Sequence, residues 1–215
     1  MNYNKLLISL IFVGVISNSY GQKSTKSIFS PSKIGFEFTQ GNEKSFLFND
    51  PDYFYKTNTF KFQLYYPLTQ WKKIDLSLIV QPQIQFNKHQ LYNEQFVLPT
   101  EKNYLEKRAK YTKLKKLSIT AIEFTIDAKK EVFTNVHLFL QFGLGFAIID
   151  TSTERLIGGF TFLENLNLGL EFLSTKKTSI RLFSGIGHVS NLNFQLPNSG
   201  YNIFNTGISF QYSLK

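Results

Sequence analysis

No cysteine occurs in this chain, and methionine and tryptophan occur once each. The missing thiols exclude a disulfide framework, a thiolate metal site and a lipidated N-terminal cysteine. Long apolar runs are missing as well. Beyond the N-terminus no stretch approaches the roughly eighteen consecutive apolar residues of a membrane-spanning helix. Acidic residues are also scarce: 15 Asp and Glu face 24 Lys and Arg, a net charge of +9. Aromatic side chains, by contrast, abound. With 23 Phe and 11 Tyr the aromatic share reaches 16 %, high for a chain of near-neutral mean hydropathy. Strand-favouring aromatics in short alternating segments reconcile the two, because a membrane barrel hides its apolar signal in a period of two.

The N-terminus reads as a targeting segment. Lys5 supplies a positive start, Leu6 to Ile16 form an apolar run interrupted by Ser9 and Gly14, and Ser19-Tyr20-Gly21 offers small residues for a signal peptidase. Residues 1–21 are therefore expected to be a signal peptide. Residues 22–215 remain as a single domain that starts at Gln22.

Eight alternating segments follow. Expected strands are Lys33–Thr39, with Phe48 as its furthest limit, then Thr57–Leu68, Ile74–Phe86, Leu117–Ala128, Val136–Ile148, Phe160–Phe172, Thr178–Ser190 and Asn202–Leu214. In the third, Ile74, Leu76, Leu78, Val80, Ile84 and Phe86 share one face while Asp75, Ser77, Gln81, Gln83 and Gln85 share the other. The fifth sets Leu138, Leu140, Phe142, Leu144, Phe146 and Ile148 against His137, Gln141, Gly143, Gly145 and Ala147. The fourth slips in its alternation near Ala121-Ile122, where a bulge is expected. Connections Thr69–Lys73, Lys129–Asn135 and Ser174–Lys177 are short, whereas Asn87–Lys116 is long. Short turns at one end and long loops at the other fit an all-β, eight-stranded antiparallel transmembrane barrel of the bacterial outer membrane, apolar side out. A soluble lipocalin-like barrel is the alternative. It would force too many bulky aromatics into a narrow interior.

Chemistry concentrates near the end of the chain. His188 and Ser190 stand two apart on a strand, so they share a face, and they share the parity of Ile180, Leu182 and Ile186. The pair therefore points at lipid near the rim. An imidazole beside a hydroxyl suits nucleophilic ester cleavage; equally, two polar residues mark a strand's exit into the headgroup zone. His89 and His137 lie on other segments without ligand spacing, so no metal or other cofactor is expected.

His188-x-Ser190-Asn191 followed by Pro197-Asn198-x-Gly200-x-Asn202 resembles the active-site signature of the PagL family of lipid A 3-O-deacylases, and the broader likeness covers residues 157–214. That resemblance implies an outer-membrane barrel that hydrolyses an ester-linked acyl chain of lipid A. It implies Ser190 as nucleophile, His188 as general base, and an oxyanion hole at Asn198 and Asn193. Two departures stand out. The family continues after Ser-Asn with Ala-Gly, where this chain has Leu192-Asn193. The triad acid is expected at the position of Asn202, an amide here, which orients an imidazole but brings no charge. Pairing the oily faces of the sixth and seventh strands sets Glu164 across from His188, so Glu164 is expected either to supply or support the acid role or simply to reach the headgroup region.

The functional expectation is lipid A deacylation at the outer leaflet, with lipopolysaccharide and the membrane as partners and nucleic acid excluded by compartment. The alternative is a non-catalytic barrel for binding, adhesion or membrane integrity, its motif decayed at Asn202. A diffusion channel is a third reading, weakened because eight strands leave a lumen filled by side chains. The long loop carries Lys102, Lys107, Arg108, Lys110, Lys113, Lys115 and Lys116 against Glu94, Glu101 and Glu106. It reads either as a solvated loop or as a contact for lipopolysaccharide phosphates.

Overall fold

The computed structural model describes residues 30–44 and 50–214; the expected signal peptide lies outside the described residues. Eight antiparallel strands close into one barrel in sequence order. They are β1 (Lys33–Asn42), β2 (Tyr53–Trp71), β3 (Ile74–Leu91), β4 (Lys115–Phe133), β5 (Val136–Ile149), β6 (Gly159–Leu173), β7 (Thr178–Ser190) and β8 (Tyr201–Ser213). Closure between β1 and β8, with Phe36 opposite Phe210, removes every sheet edge.

The wall is inside-out. Phe36, Phe142, Leu168, Leu182 and Phe210 are about half exposed on the outside, while Gln63, Glu123, Glu171 and Arg181 are buried within. A soluble barrel would show the reverse. Apolar residues facing outward all round need hydrocarbon against them, and only a closed barrel meets the demand that every backbone group be bonded internally.

Inside, charges are paired in layers. Near the short-turn end Arg181 grips Asp127 through both Nη atoms at 2.8 and 3.0 Å and donates from Nε to Glu171 at 2.7 Å. Lys129 and Lys33 also donate to Glu171, at 3.2 and 3.4 Å. Half-way up, Glu123 accepts from Lys61, Gln83 and Asn165 at 3.1, 2.7 and 2.9 Å. Each buried charge thus has compensating partners, the condition under which burial is tolerated. Side chains therefore occupy the lumen at both levels.

Above this network the lumen turns oily. Tyr55, Leu117, Ile119, Leu156, Leu163, Val189 and Ile203 form a buried cluster toward the long-loop end. That layer overturns the expected bulge in β4. The ladder between β3 and β4 runs without a break from Asp75–Lys129 to His89–Lys115, and Ala121 pairs with Gln83. Leu117 and Ile119 point inward into the plug while Ile122, Phe124 and Ile126 point outward. The apolar residues change sides although the strand keeps its phase. Register irregularities lie instead at Pro67/Thr69 and Glu131/Phe133, toward the short-turn end.

The plug also explains why strands outrun their expected limits. β2 starts at Tyr53 and β3 continues to Leu91, both inward-facing and packed with Val97 and Tyr111 of the long loop. That loop contains a 3-10 turn (Glu94–Phe96) and a helix, α1 (Tyr104–Tyr111). At the opposite end, β2 and β3 meet in a tight turn with Lys72 and Lys73 both at positive φ.

Candidate active site

β7 and β8 are in register with His188 opposite Asn202, and β6 and β7 with Glu164 opposite His188. All three lie on the outer face, near the long-loop end. His188 Nδ1 and Asn202 Oδ1 are 2.7 Å apart. With the amide oxygen toward the ring, Nδ1 is the donor, and in the neutral ring the lone pair is then on Nε2. Asn202 is therefore the ring's orienting partner. Glu164 occupies the cross-strand position expected of it, but no hydrogen bond or ion pair joins it to His188 among the described residues.

Ser190 ends β7 on the same outward face. Its carbonyl accepts from Thr161 Oγ1 at 2.8 Å, which pins the strand end. The residue is only 7 % exposed. The loop from Asn191 to Gly200 folds back here, and Phe194 lies 6.0 Å ring to ring from Phe162, the cross-strand neighbour of Ser190. No hydrogen bond links Ser190 Oγ to the His188 ring in this arrangement.

The residues implied for an oxyanion hole meet one another. Asn198 Nδ2 donates to Asn193 Oδ1 at 3.1 Å, and Asn198 Oδ1 accepts the Asn191 N–H at 2.8 Å. Nδ2 has two hydrogens, so one stays free for a further acceptor. Leu192 and Asn193 both adopt left-handed backbone, φ 52° and 62°. Asparagine tolerates that region far better than most residues, so replacing the family's glycine with Asn193 keeps the turn. Gly200, at φ 60°, has no such substitute: a Cβ there would come within 2.7 Å of the Val189 carbonyl and 3.2 Å of His188 Nε2.

Sequence reasoning missed what holds this loop. The Arg155 carbonyl accepts the Ser199 N–H at 2.8 Å, Leu156 bridges Asn198, and the Arg155 side chain pairs with Asp50 at 2.6 Å. The β5–β6 loop thereby braces the β7–β8 loop. Loop-to-loop bridging has no periodicity, so no sequence signal announced it. His89, set aside as a ligand, is also accounted for. It meets Glu154 at 3.0 Å, buried beneath the loops.

The fold and the site together define an outer-membrane β-barrel with a histidine and a serine on its lipid-facing wall. The chain belongs to the family described as Lipid A 3-O-deacylase (PagL), whose profile matches residues 19–211. By structure it is similar to the outer membrane enzyme PagL, with TM-score 0.50, 12 % identity, and coverage of 81 % of this chain and 97 % of that one. It is also similar to Neisserial surface protein A, with TM-score 0.46, 9 % identity, and coverage of 85 % and 96 %. No curated protein matches the chain by sequence.

Proposed function

We propose that this chain hydrolyses an ester-linked acyl chain of lipid A by a serine mechanism on the outer wall of β6–β8, at the outer leaflet. The observation that carries the reading is the 2.7 Å contact between His188 Nδ1 and Asn202 Oδ1, which leaves Nε2 as a base. Ser190 Oγ attacks the ester carbonyl while Nε2 takes its proton. The free Asn198 N–H stabilises the oxyanion. The intermediate collapses, the sugar oxygen leaves with the proton from Nε2, and an acyl-serine remains. Water, deprotonated by the same nitrogen, releases the fatty acid. Asn202 holds the tautomer, and the Glu164 carboxylate, directly across the strand pair, supplies negative charge beside the imidazolium. The Ser190–His188 hydrogen bond forms as substrate binds, since catalytic hydrogen bonds commonly tighten only then.

Two further features favour a lipid substrate. Leu192, Phe194 and Leu196 of the covering loop are each more than half exposed beside the site. Below His188 the same wall is hollowed where Ser184 faces Thr206, between Leu168, Leu170, Leu182 and Ile208. Ser184 lies four positions from His188, roughly 13 Å of strand. A fatty chain whose ester sits at His188 would run down this groove.

The rival reading, a non-catalytic barrel, draws on the amide at Asn202. Mass spectrometry of lipid A from cells expressing the protein or its Ser190→Ala variant separates the two. Loss of one acyl chain is expected with the unaltered protein only. Equal acylation, with both proteins folded in the membrane, would falsify the enzyme reading.

A further inference from the structure

A second feature of the outer wall lies on the other side of the barrel. Lys56 on β2, Lys88 on β3 and Lys116 on β4 are direct cross-strand neighbours: Lys56 pairs with Lys88, and Lys88 with Lys116. All three side chains are exposed on the outer face. Like charges set directly opposite one another on a sheet repel, and here the repulsion is paid twice along one rung. Among the described residues none of the three ammonium groups has a side-chain hydrogen bond or an ion pair. The carboxylate that lines their shallow groove, Asp150, is engaged by the Ser118 hydroxyl at 2.6 Å and by its N–H at 3.0 Å.

The depth of this rung argues for its occupant. Phe86, half exposed to hydrocarbon, lies two residues below Lys88, roughly 7 Å along the strand. The lysines therefore stand just above the apolar belt at the long-loop end, where their chains can lie along the wall and their heads reach the polar boundary. An outer-membrane barrel with its long loops outside has phosphorylated lipid at that boundary. Three of the loop cations are already engaged. Lys107 is held by Glu101 at 2.8 Å, Arg108 bonds the Val97 carbonyl and Gln95, and Lys115 lies over the Tyr111 ring. Of the basic residues from Lys102 to Lys116, only Lys116 joins the rung.

We infer that Lys56, Lys88 and Lys116 form a non-catalytic binding site for the phosphate groups of a lipid A molecule of the outer leaflet, distinct from any lipid at His188. In a ring of eight strands β3 lies opposite β7, so one lipid cannot span both positions. The site rests on the outward placement of the long loops and needs no turnover at Ser190. It would fasten the barrel to its lipid surroundings at a fixed depth.

The test uses the mature chain in detergent, in a Ser190→Ala background so that the probe stays intact. Native mass spectrometry with bisphosphorylated lipid A is compared for this protein and for one carrying Lys56→Gln, Lys88→Gln and Lys116→Gln. One phosphorylated lipid fewer per barrel is expected in the triple variant. Affinity at that site should fall roughly fivefold for each lysine removed, on the order of a hundredfold for all three. Dephosphorylated lipid A should bind both proteins alike. A Lys→Arg triple should retain the lipid, as should Lys102→Gln with Lys110→Gln and Lys113→Gln, and heat-dependent gel mobility verifies that each variant is folded. Undiminished binding by the rung variant would overturn the site, as would an equal loss in the loop variant or equal competition by inorganic phosphate. Because binding is read without turnover, these outcomes are independent of whether the chain deacylates lipid.

Discussion

The inner and outer faces of this barrel treat polar residues in opposite ways. Inside, Arg181, Asp127, Glu171, Glu123 and Lys61 are all buried, and each has an ionic partner. Outside, Glu164 and the lysines at positions 56, 88 and 116 stand without one among the described residues, and His188 has a single amide partner. Interior charges are satisfied because nothing else can satisfy them there. At the rim a charged group can wait for a ligand, since water and headgroups hold it meanwhile. The comparison separates polar groups that are paired and buried, which hold the fold, from those left open on an oily wall, which are the candidates for function.

Disabling the outer face should cost activity without cost to the fold. Ser190→Ala or His188→Ala should lower deacylation by a factor on the order of 10³ or more, measured by lipid A mass spectrometry, with unchanged heat-dependent gel mobility. An equal loss of folding would erase the distinction between the faces. Disabling the inner face should do the reverse. Arg181→Leu leaves Asp127 and Glu171 buried without their main counter-ion and should cost about 3–5 kcal/mol of stability, read from the denaturant midpoint. The molecules that still fold should keep their specific activity.

Smaller effects sharpen the outer face itself. Restoring charge with Asn202→Asp should raise the rate about tenfold or more, since a carboxylate stabilises the imidazolium that an amide only orients. Glu164→Gln should lower it roughly tenfold, the scale of one charge acting through a partly hydrated boundary, and Asn202→Asp should rescue that loss. An unchanged rate in Glu164→Gln would remove Glu164 from the mechanism. The smallest effect concerns the loop cap. Burial raises the Glu154 carboxyl pKa, but the neighbouring His89 ring, 3.0 Å away, and the Tyr53 side chain outweigh it, leaving the pKa below its ordinary value. A carboxyl whose folded pKa is depressed stabilises fully above its unfolded pKa and loses that contribution as pH falls through the folded one. Protease resistance of the loops should hold from neutral pH down to the usual carboxylate range and decline below it. Glu154→Gln should weaken it at neutral pH and flatten the profile.

Much of this was legible in the linear chain. Strand number, the outward oily face and the β7 limits Thr178 and Ser190 follow from a period of two, because a strand's side chains alternate whatever surrounds them. The cross-strand placing of Glu164 against His188 was legible too, as matching oily faces leaves one register between adjacent strands. The apparent slip at Ala121-Ile122 was misleading for a definite reason. Alternation reports which residues are apolar and not which side is oily, and the side changes where the lumen becomes a plug.

By itself, then, the sequence determined a barrel, its phase and the chemical types gathered at one rim, since these depend on local periodicity and pairing between neighbours in the chain. Only the closed structure decided that Asn202 holds the His188 ring, that Phe194 packs beside Ser190 and that Arg155 braces the covering loop. It also brought Lys56, Lys88 and Lys116, from three separate segments, into one rung. Those contacts join residues far apart in sequence through loops and lateral strand order, for which no repeating pattern exists.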